Sequence, residues 1–364
     1  MLIFLILLAF CAVGCELLSL RRCLKGVSYT CRPSVSVVEP GEEFELETVI
    51  SNNKWTPVSF LEVVQALPHD IQLNAYLGRF RSEPVVSWLY STCYLGSRQR
   101  LTRRVKASLP QRGRRLISDA QITAGDLLGL KRRSQTVSVF HEIVALPRRT
   151  AAPDLSQALG GFLGEVSVRR FILEDPMLTV GARDYTGREP MKAVSWKHSL
   201  RAGKLMVKEF DYTVENFVTV VLNAEGGEPE TLERCFSLAR MALEQLEARG
   251  LSYGFLTNAA TAGAIGRWSE VSAGLGAGHA RAILEGMGRA TYDVQEPFET
   301  LALRAARRSE QGRAHIIVTP GRLQETDPAL APLRRQSDGR IFILSALDLP
   351  AEPEERGPEE EAAV

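Results

Sequence analysis

A chain of 364 residues is longer than one typical domain, so two domains plus extensions is the expectation. With 44 basic and 43 acidic residues the net charge is +1, which argues against a dedicated nucleic-acid binder. Six cysteines at 11, 15, 23, 31, 93 and 235 include no Cys-x-x-Cys pair and the five histidines are scattered, so neither a zinc site nor a disulfide framework is expected.

Residues 1–20 are apolar apart from Gly14, Glu16 and Ser19, and Arg21-Arg22 stops the run. About 20 residues at ~1.5 Å each is ~30 Å, the thickness of the hydrocarbon core, so one transmembrane anchor is expected there. No basic segment precedes it, which disfavours a cleaved signal peptide. Arg21, Arg22 and Lys25 then place the body in the cytoplasm by the positive-inside rule, giving a single-pass protein of the cell membrane. Residues 33–150 carry short β runs with turn punctuation: Ser34–Val38, Glu43–Ile50, Val58–Leu67, Val85–Tyr90 and Val137–Val144. Glu43–Val49 alternates polar and apolar, the mark of a sheet with one wet face, and the whole reads as a β-sandwich of immunoglobulin-like type. From Arg98 to Arg149 thirteen Lys/Arg face only Asp119, Asp126 and Glu142; a solvated strand face is the first reading and anionic headgroups the second. Residues 151–182, loose and glycine-rich around Leu155–Leu163, read as an inter-domain passage.

A polar loop follows, with Arg183, Tyr185, Glu189-Pro190, Lys192, Val194, Trp196-Lys197, Ser199 and Arg201. In one reading Tyr185 and Trp196 plug a groove between two domains while Arg183, Lys192, Lys197 and Arg201 cap carbonyls and pair with Asp184 and Glu189; in the other the loop is a docking surface, since arginine and aromatic residues are favoured at interface centres. Phe217–Leu222 is too continuous for a half-exposed strand and too short for a helix, so it reads as a central strand covered on both faces. Helices are expected over Glu230–Arg249, His279–Met287 and Phe298–Arg308, and strands over Leu251–Leu256, Ala314–Val318 and Arg340–Leu344, an alternation that implies a parallel sheet wound on both sides. Gly274-Leu-Gly276-Ala-Gly278 lacks a P-loop lysine and has no clear strand before it, so it reads as a flexible cap on the helix from His279. His279, Ser199 and Cys235 have no partner at catalytic spacing, and no catalytic residue or cofactor is assigned. Residues 350–364, with six glutamates against Arg356, read as a disordered acidic tail.

The spacing from Arg183 to Arg201 resembles the bacterial DUF58 family, whose signature runs R-x-Y-x-x-G-D-x-x-R-x-I-x-W-K-x-S-A-R. Arg188, Glu189, Lys192 and Val194 stand where the family has Gly, Asp, Arg and Ile. Arg112-Gly113-Arg-Arg115, Gly125-Asp126-Leu-Leu-Gly129-Leu130 and Val144-Ala-Leu-Pro147-Arg148 are similar to a second family segment. The resemblance implies a von Willebrand A-like domain over 183–349 and functional company with MoxR-type AAA+ ATPases. Metal-binding A domains place D-x-S-x-S after the first strand, one carboxylate and two hydroxyls for a hard cation. Here the positions read Asn223-Ala-Glu225-Gly-Gly227, so the expectation is a degenerate site without a metal. Together these readings give an α+β multidomain chain: transmembrane helix, β-sandwich, then a doubly wound α/β domain. Its expected role is a membrane-tethered, non-enzymatic adaptor presenting Arg183, Tyr185, Glu189, Lys192, Trp196, Lys197 and Arg201 to a protein partner. The alternative is an outward-facing, metal-dependent ligand binder or adhesin.

Overall fold

The computed structural model describes all residues except 1–9, 11–13, 15, 17–19, 75–77, 126–130, 169–178, 188, 211–216, 264–267, 309–312, 338 and 350–364. Most of the apolar N-terminal run, the loop around Asp126, Arg188 and the acidic tail therefore lie outside the described residues. Among the described residues no helix is long and apolar enough to cross a membrane. The chain divides into two units, Met1–Arg148 with Leu284–Thr291, and Arg149–Ile283 with Tyr292–Val364.

The first unit is an antiparallel β-sandwich. One sheet has the order Val27–Pro33, Phe44–Asn52, Arg100–Ser108, Gln72–Asn74; the other runs Arg132–Val137, Ala120–Gly125, Val58–Pro68, Val86–Leu95, Arg79–Arg81. A small third sheet joins Val37–Val38, His141–Ala145 and Gly113–Ile117. Period-two alternation builds the core: Phe44, Leu46 and Ile50 point inward from one sheet while Leu61, Val63 and Leu67 point inward from the other, and Glu45 and Glu47 stay outside or at the edge. The single run expected over Val137–Val144 is broken, because Arg132–Val137 and His141–Ala145 belong to different sheets. Part of the basic stretch is matched by acids, three of which lie outside the stretch itself. Arg104 pairs with Glu47 at 3.1 Å, Lys106 with Glu43 at 3.0 Å, Arg114 with Glu142 at 3.1 Å and Arg115 with Asp70 at 2.6 Å. Arg112 is buried, donating to the carbonyls of Met287 at 2.5 Å and Ala290 at 2.7 Å within the same unit.

The second unit is a mixed α/β region. Its main sheet has the order Glu270–Gly274, Ser252–Thr257, Phe217–Leu222, Ala314–Thr319, Ile341–Ser345, with all neighbours parallel except the first pair. Val218, Val220, Val221 and Leu222 are all buried, which alternating side-chain direction permits only if both faces are covered. Phe298–Arg308 and Ala331–Ser337 supply one cover, packing Leu301, Ala305 and Leu333 against Val221, Ile317 and Ile341. Pro229–Ala248 lies against Phe217–Leu222, Ser252–Thr257 and Ala314–Thr319, with proline at its first turn and Gly250 in the left-handed region (φ 64°) just past its end. Residues 151–182 hold more than a passage. Pro153–Val168 is a helix with Asp154 in its first turn and Leu159, Leu163 and Val166 buried at helical spacing. Three glycines hid that period, and Gly160 has a role: Arg249 donates to its carbonyl at 2.6 Å, and a Cβ there would sit 2.8 Å from the guanidinium.

Candidate functional site

Two places in the second unit merit a functional reading: the loop from Arg183 and the carboxyl end of the main sheet. The loop starts from a two-stranded antiparallel pair, Thr179–Asp184 with Met206–Phe210, registered Arg183 to Val207 and Asp184 to Met206. Between the strands lie a 3-10 turn, Met191–Ala193, and a short helix, Trp196–Ala202, which ends at Gly203 in the left-handed conformation (φ 66°). Val194 and Val207 are buried and bridge to each other, forming the floor. Ser199 locks the helix to the strand: its hydroxyl donates to the Ser195 carbonyl at 2.9 Å and accepts the Met206 N–H at 2.8 Å. Glu189 ties the turn together. Arg183 donates to it at 2.6 Å, and Thr186 gives it both backbone N–H and hydroxyl bonds. The Arg183 bond, ahead of those from Thr186, draws the Glu189 carboxyl down to about 2, so it stays ionised. Asp184 pairs with Lys204 at 2.6 Å rather than with Arg183, Lys192, Lys197 or Arg201.

This scaffold turns its large apolar side chains outward. Trp196 is 60 % and Leu200 85 % exposed, one helical turn apart, and Met191 and Leu205 are exposed with them. Lys192, Lys197 and Arg201 are exposed around them and have no ion-pair partner among the described residues. Of the loop residues singled out in the sequence, Arg183 and Glu189 thus form the frame, Tyr185 is half-buried and bonded through its backbone N–H to Leu205, and Lys192, Trp196, Lys197 and Arg201 present outward. Met191 and Leu200 were not singled out; Leu200 could have been found from its place four residues after Trp196 on the same helix, whereas no local pattern marks Met191.

At the other place, strand order reverses between Phe217–Leu222 and Ala314–Thr319, where open α/β sheets leave a crevice. Amides fill it here. Asn258 donates to the Asn223 side-chain oxygen at 2.9 Å; that oxygen also accepts the Glu225 N–H at 2.9 Å, and the Asn223 amide reaches Thr319 at 3.4 Å. Asn258 accepts the Ala224 N–H at 2.7 Å, and Glu225 accepts the Phe298 N–H at 2.6 Å at the start of a helix. Asn223 and Asn258 are both buried. A Cβ at Gly227 would lie 2.6 Å from Leu232 and 2.9 Å from Pro320, so a serine has no room there. These residues suit a cation poorly: the Asn223 oxygen and one Glu225 oxygen are committed to N–H donors, and a side chain at the third ligand position would meet Leu232 and Pro320.

The glycine loop differs from its sequence reading. A strand, Glu270–Gly274, does lead into it, and the helix is Ala277–Arg289. The Gly276 N–H is taken by Glu247 at 3.2 Å, placing a carboxylate where a phosphate would bind. His279 bonds the Tyr253 carbonyl at 2.8 Å and lies against the Tyr253 ring at 5.0 Å, a packing role.

No family model and no curated protein matches the chain. Among solved structures it is similar to a non-cellulosomal cohesin from Archaeoglobus fulgidus, at 13 % identity and TM-score 0.24, covering 36 % of this chain and 97 % of that one. It is also similar to a cohesin module of a family 33 glycoside hydrolase from Clostridium perfringens, at 18 % identity and TM-score 0.22, over 31 % of this chain and 96 % of that one. A type II cohesin domain from the cellulosome of Acetivibrio cellulolyticus gives 12 % identity and TM-score 0.25, over 33 % and 94 %. Likenesses of this size carry no statement about function.

Proposed function

We propose that this chain is a membrane-tethered, non-enzymatic adaptor that docks a protein partner on the face formed by Trp196, Leu200 and Met191 and rimmed by Lys192, Lys197 and Arg201. In this reading residues 1–20 are the anchor, the sandwich is immunoglobulin-like, and the second unit is a von Willebrand A-like domain. The observation that carries it is the exposure of Trp196 and Leu200 on a helix whose buried side is pinned by Ser199. A surface that keeps large apolar groups beside unpaired cations suits a partner segment that is apolar and acidic. Similarity of the loop to the DUF58 signature suggests a MoxR-type AAA+ ATPase as that partner. The metal-dependent adhesin gains no support, because the Asn223–Asn258 amide pair occupies the place where its cation would bind.

The test is co-purification of a MoxR-type AAA+ ATPase from detergent extract, with and without ATP, comparing the parent with a Trp196→Ala/Leu200→Ser variant. A central aromatic anchor of this kind is worth about 2 kcal/mol or more, so at least a tenfold loss of affinity is expected. An ATPase that never co-purifies, or that binds both proteins equally, refutes the reading.

A further inference from the structure

The tip of the sandwich in the first unit has chemistry of its own. The loop after Phe44–Asn52 and the loop before Arg100–Ser108 lie beside Arg22–Gly26. Asn53 N–H donates to the Gly26 carbonyl at 2.9 Å, and Lys54 donates to the carbonyls of Arg22 and Cys23. Both loops are held firmly: the buried Asn52 amide donates to the Thr56 carbonyl at 3.0 Å and the Gly96 carbonyl at 2.8 Å, and Arg98 N–H bonds the Lys54 carbonyl at 3.0 Å. Trp55 is 73 % exposed, with the Arg98 guanidinium 3.8 Å above its ring. Among the described residues Arg98 is the one non-glycine residue with positive φ, at 50°, a conformation that costs about 1 kcal/mol and places its side chain over the indole. No residue of 20–26, 52–57 or 96–100 is acidic, whereas Arg21, Arg22, Lys25, Lys54, Arg98 and Arg100 are basic.

We propose that this tip rests on an anionic bilayer, with Trp55 at headgroup depth and Arg98, Arg21, Arg22 and Lys25 on the lipid phosphates. Indoles prefer the membrane–water boundary, and clustered cations just cytoplasmic of an apolar segment are drawn to anionic lipid. The proposal rests on residues 1–20 entering the membrane, because the chain then leaves the bilayer at Arg21 and the hydrogen bonds of Lys54 and Asn53 hold the tip at that exit.

The experiment reconstitutes the full chain into phosphatidylcholine vesicles with or without phosphatidylglycerol, including lipids brominated near the carbonyl end of the acyl chain, and reads tryptophan quenching alongside flotation in carbonate. Expected are quenching that increases with phosphatidylglycerol, loss of most of that quenching in Trp55→Phe, and a clear decrease in Arg98→Glu and Lys25→Glu. Carbonate-resistant flotation with Trp55 unquenched leaves the anchor standing and overturns the proposal. Salt-sensitive flotation with Trp55 quenched keeps the contact and removes the anchor. Failure to bind anionic vesicles overturns both.

Discussion

His315 sits fully buried in the strand Ala314–Thr319, and neither ring nitrogen has a hydrogen-bond partner among the described residues. Burial, helped by the nearby Arg313 charge, pushes its pKa down to about 4 from an ordinary value near 6.5. A depressed histidine favours the neutral form in the fold, so between those two values the unfolded chain binds a proton that the folded chain refuses. Stability is therefore full above about pH 6.5 and falls as pH drops toward 4, by about 3 kcal/mol at roughly 1.36 kcal/mol per pH unit. Urea denaturation at pH 7 and pH 4.5 should show this loss, and His315→Leu should flatten it. Glu189 behaves oppositely: drawn down to about 2, it keeps its bond to Arg183 across the same range, so the shape of the loop should not change while the core weakens.

At the level of the element, the short helix Trp196–Ala202 depends on one hydroxyl. Ser199→Ala removes both the bond to Ser195 and the acceptor for the Met206 N–H, and should cost about 1–2 kcal/mol in thermal or chemical unfolding, weakening partner binding without touching the exposed face. At the sheet end, Gly227→Ser should destabilise by about 1–3 kcal/mol, since Leu232 and Pro320 must move. Rebuilding the whole ligand set with Asn223→Asp, Glu225→Ser and Gly227→Ser should lower the melting temperature and give no magnesium-dependent rise in a thermal-shift titration. The missing acid at 223 was legible in the sequence; the amide pairing with Asn258, thirty-five residues on, was not, because no local pattern marks a long-range partner. The central strand and the long helix were legible to within a residue or so, since burial on both faces and an i, i+4 stripe leave a strong imprint. The helix Pro153–Val168 was missed because Gly160, Gly161 and Gly164 lower helix propensity while packing still requires the helix.

At the scale of the molecule, the charge balance of +1 hides local contrasts: a sandwich face of matched ion pairs, a tip with cations alone, and the short helix Trp196–Ala202, whose cations around the tryptophan have no ion-pair partner among the described residues. The four described cysteines are free thiols, three of them buried, and burial lifts those of Cys31 and Cys235 to about 12. Native protein should therefore react slowly with thiol reagents at these positions, with full reaction only on unfolding. The sandwich also includes Leu284–Thr291, and that segment accepts bonds from Arg112 at the carbonyls of Met287 and Ala290 and supplies Arg289 to Glu142 at 2.9 Å. A fragment spanning 20–148 should accordingly melt below the intact sandwich, as calorimetry would show, because Arg112 loses the carbonyls of Met287 and Ala290 and Glu142 loses Arg289, charge-assisted bonds worth about 1.5–3 kcal/mol each.

That discontinuity bears on how the protein is made. After Arg148 leaves the ribosome, about 140 further residues must be synthesised before Leu284–Thr291 arrives, some ten seconds or more at roughly 5–20 residues per second. Until then the Met287 and Ala290 carbonyls and Arg289 are missing, so the first unit cannot finish its packing although most of its residues have already emerged.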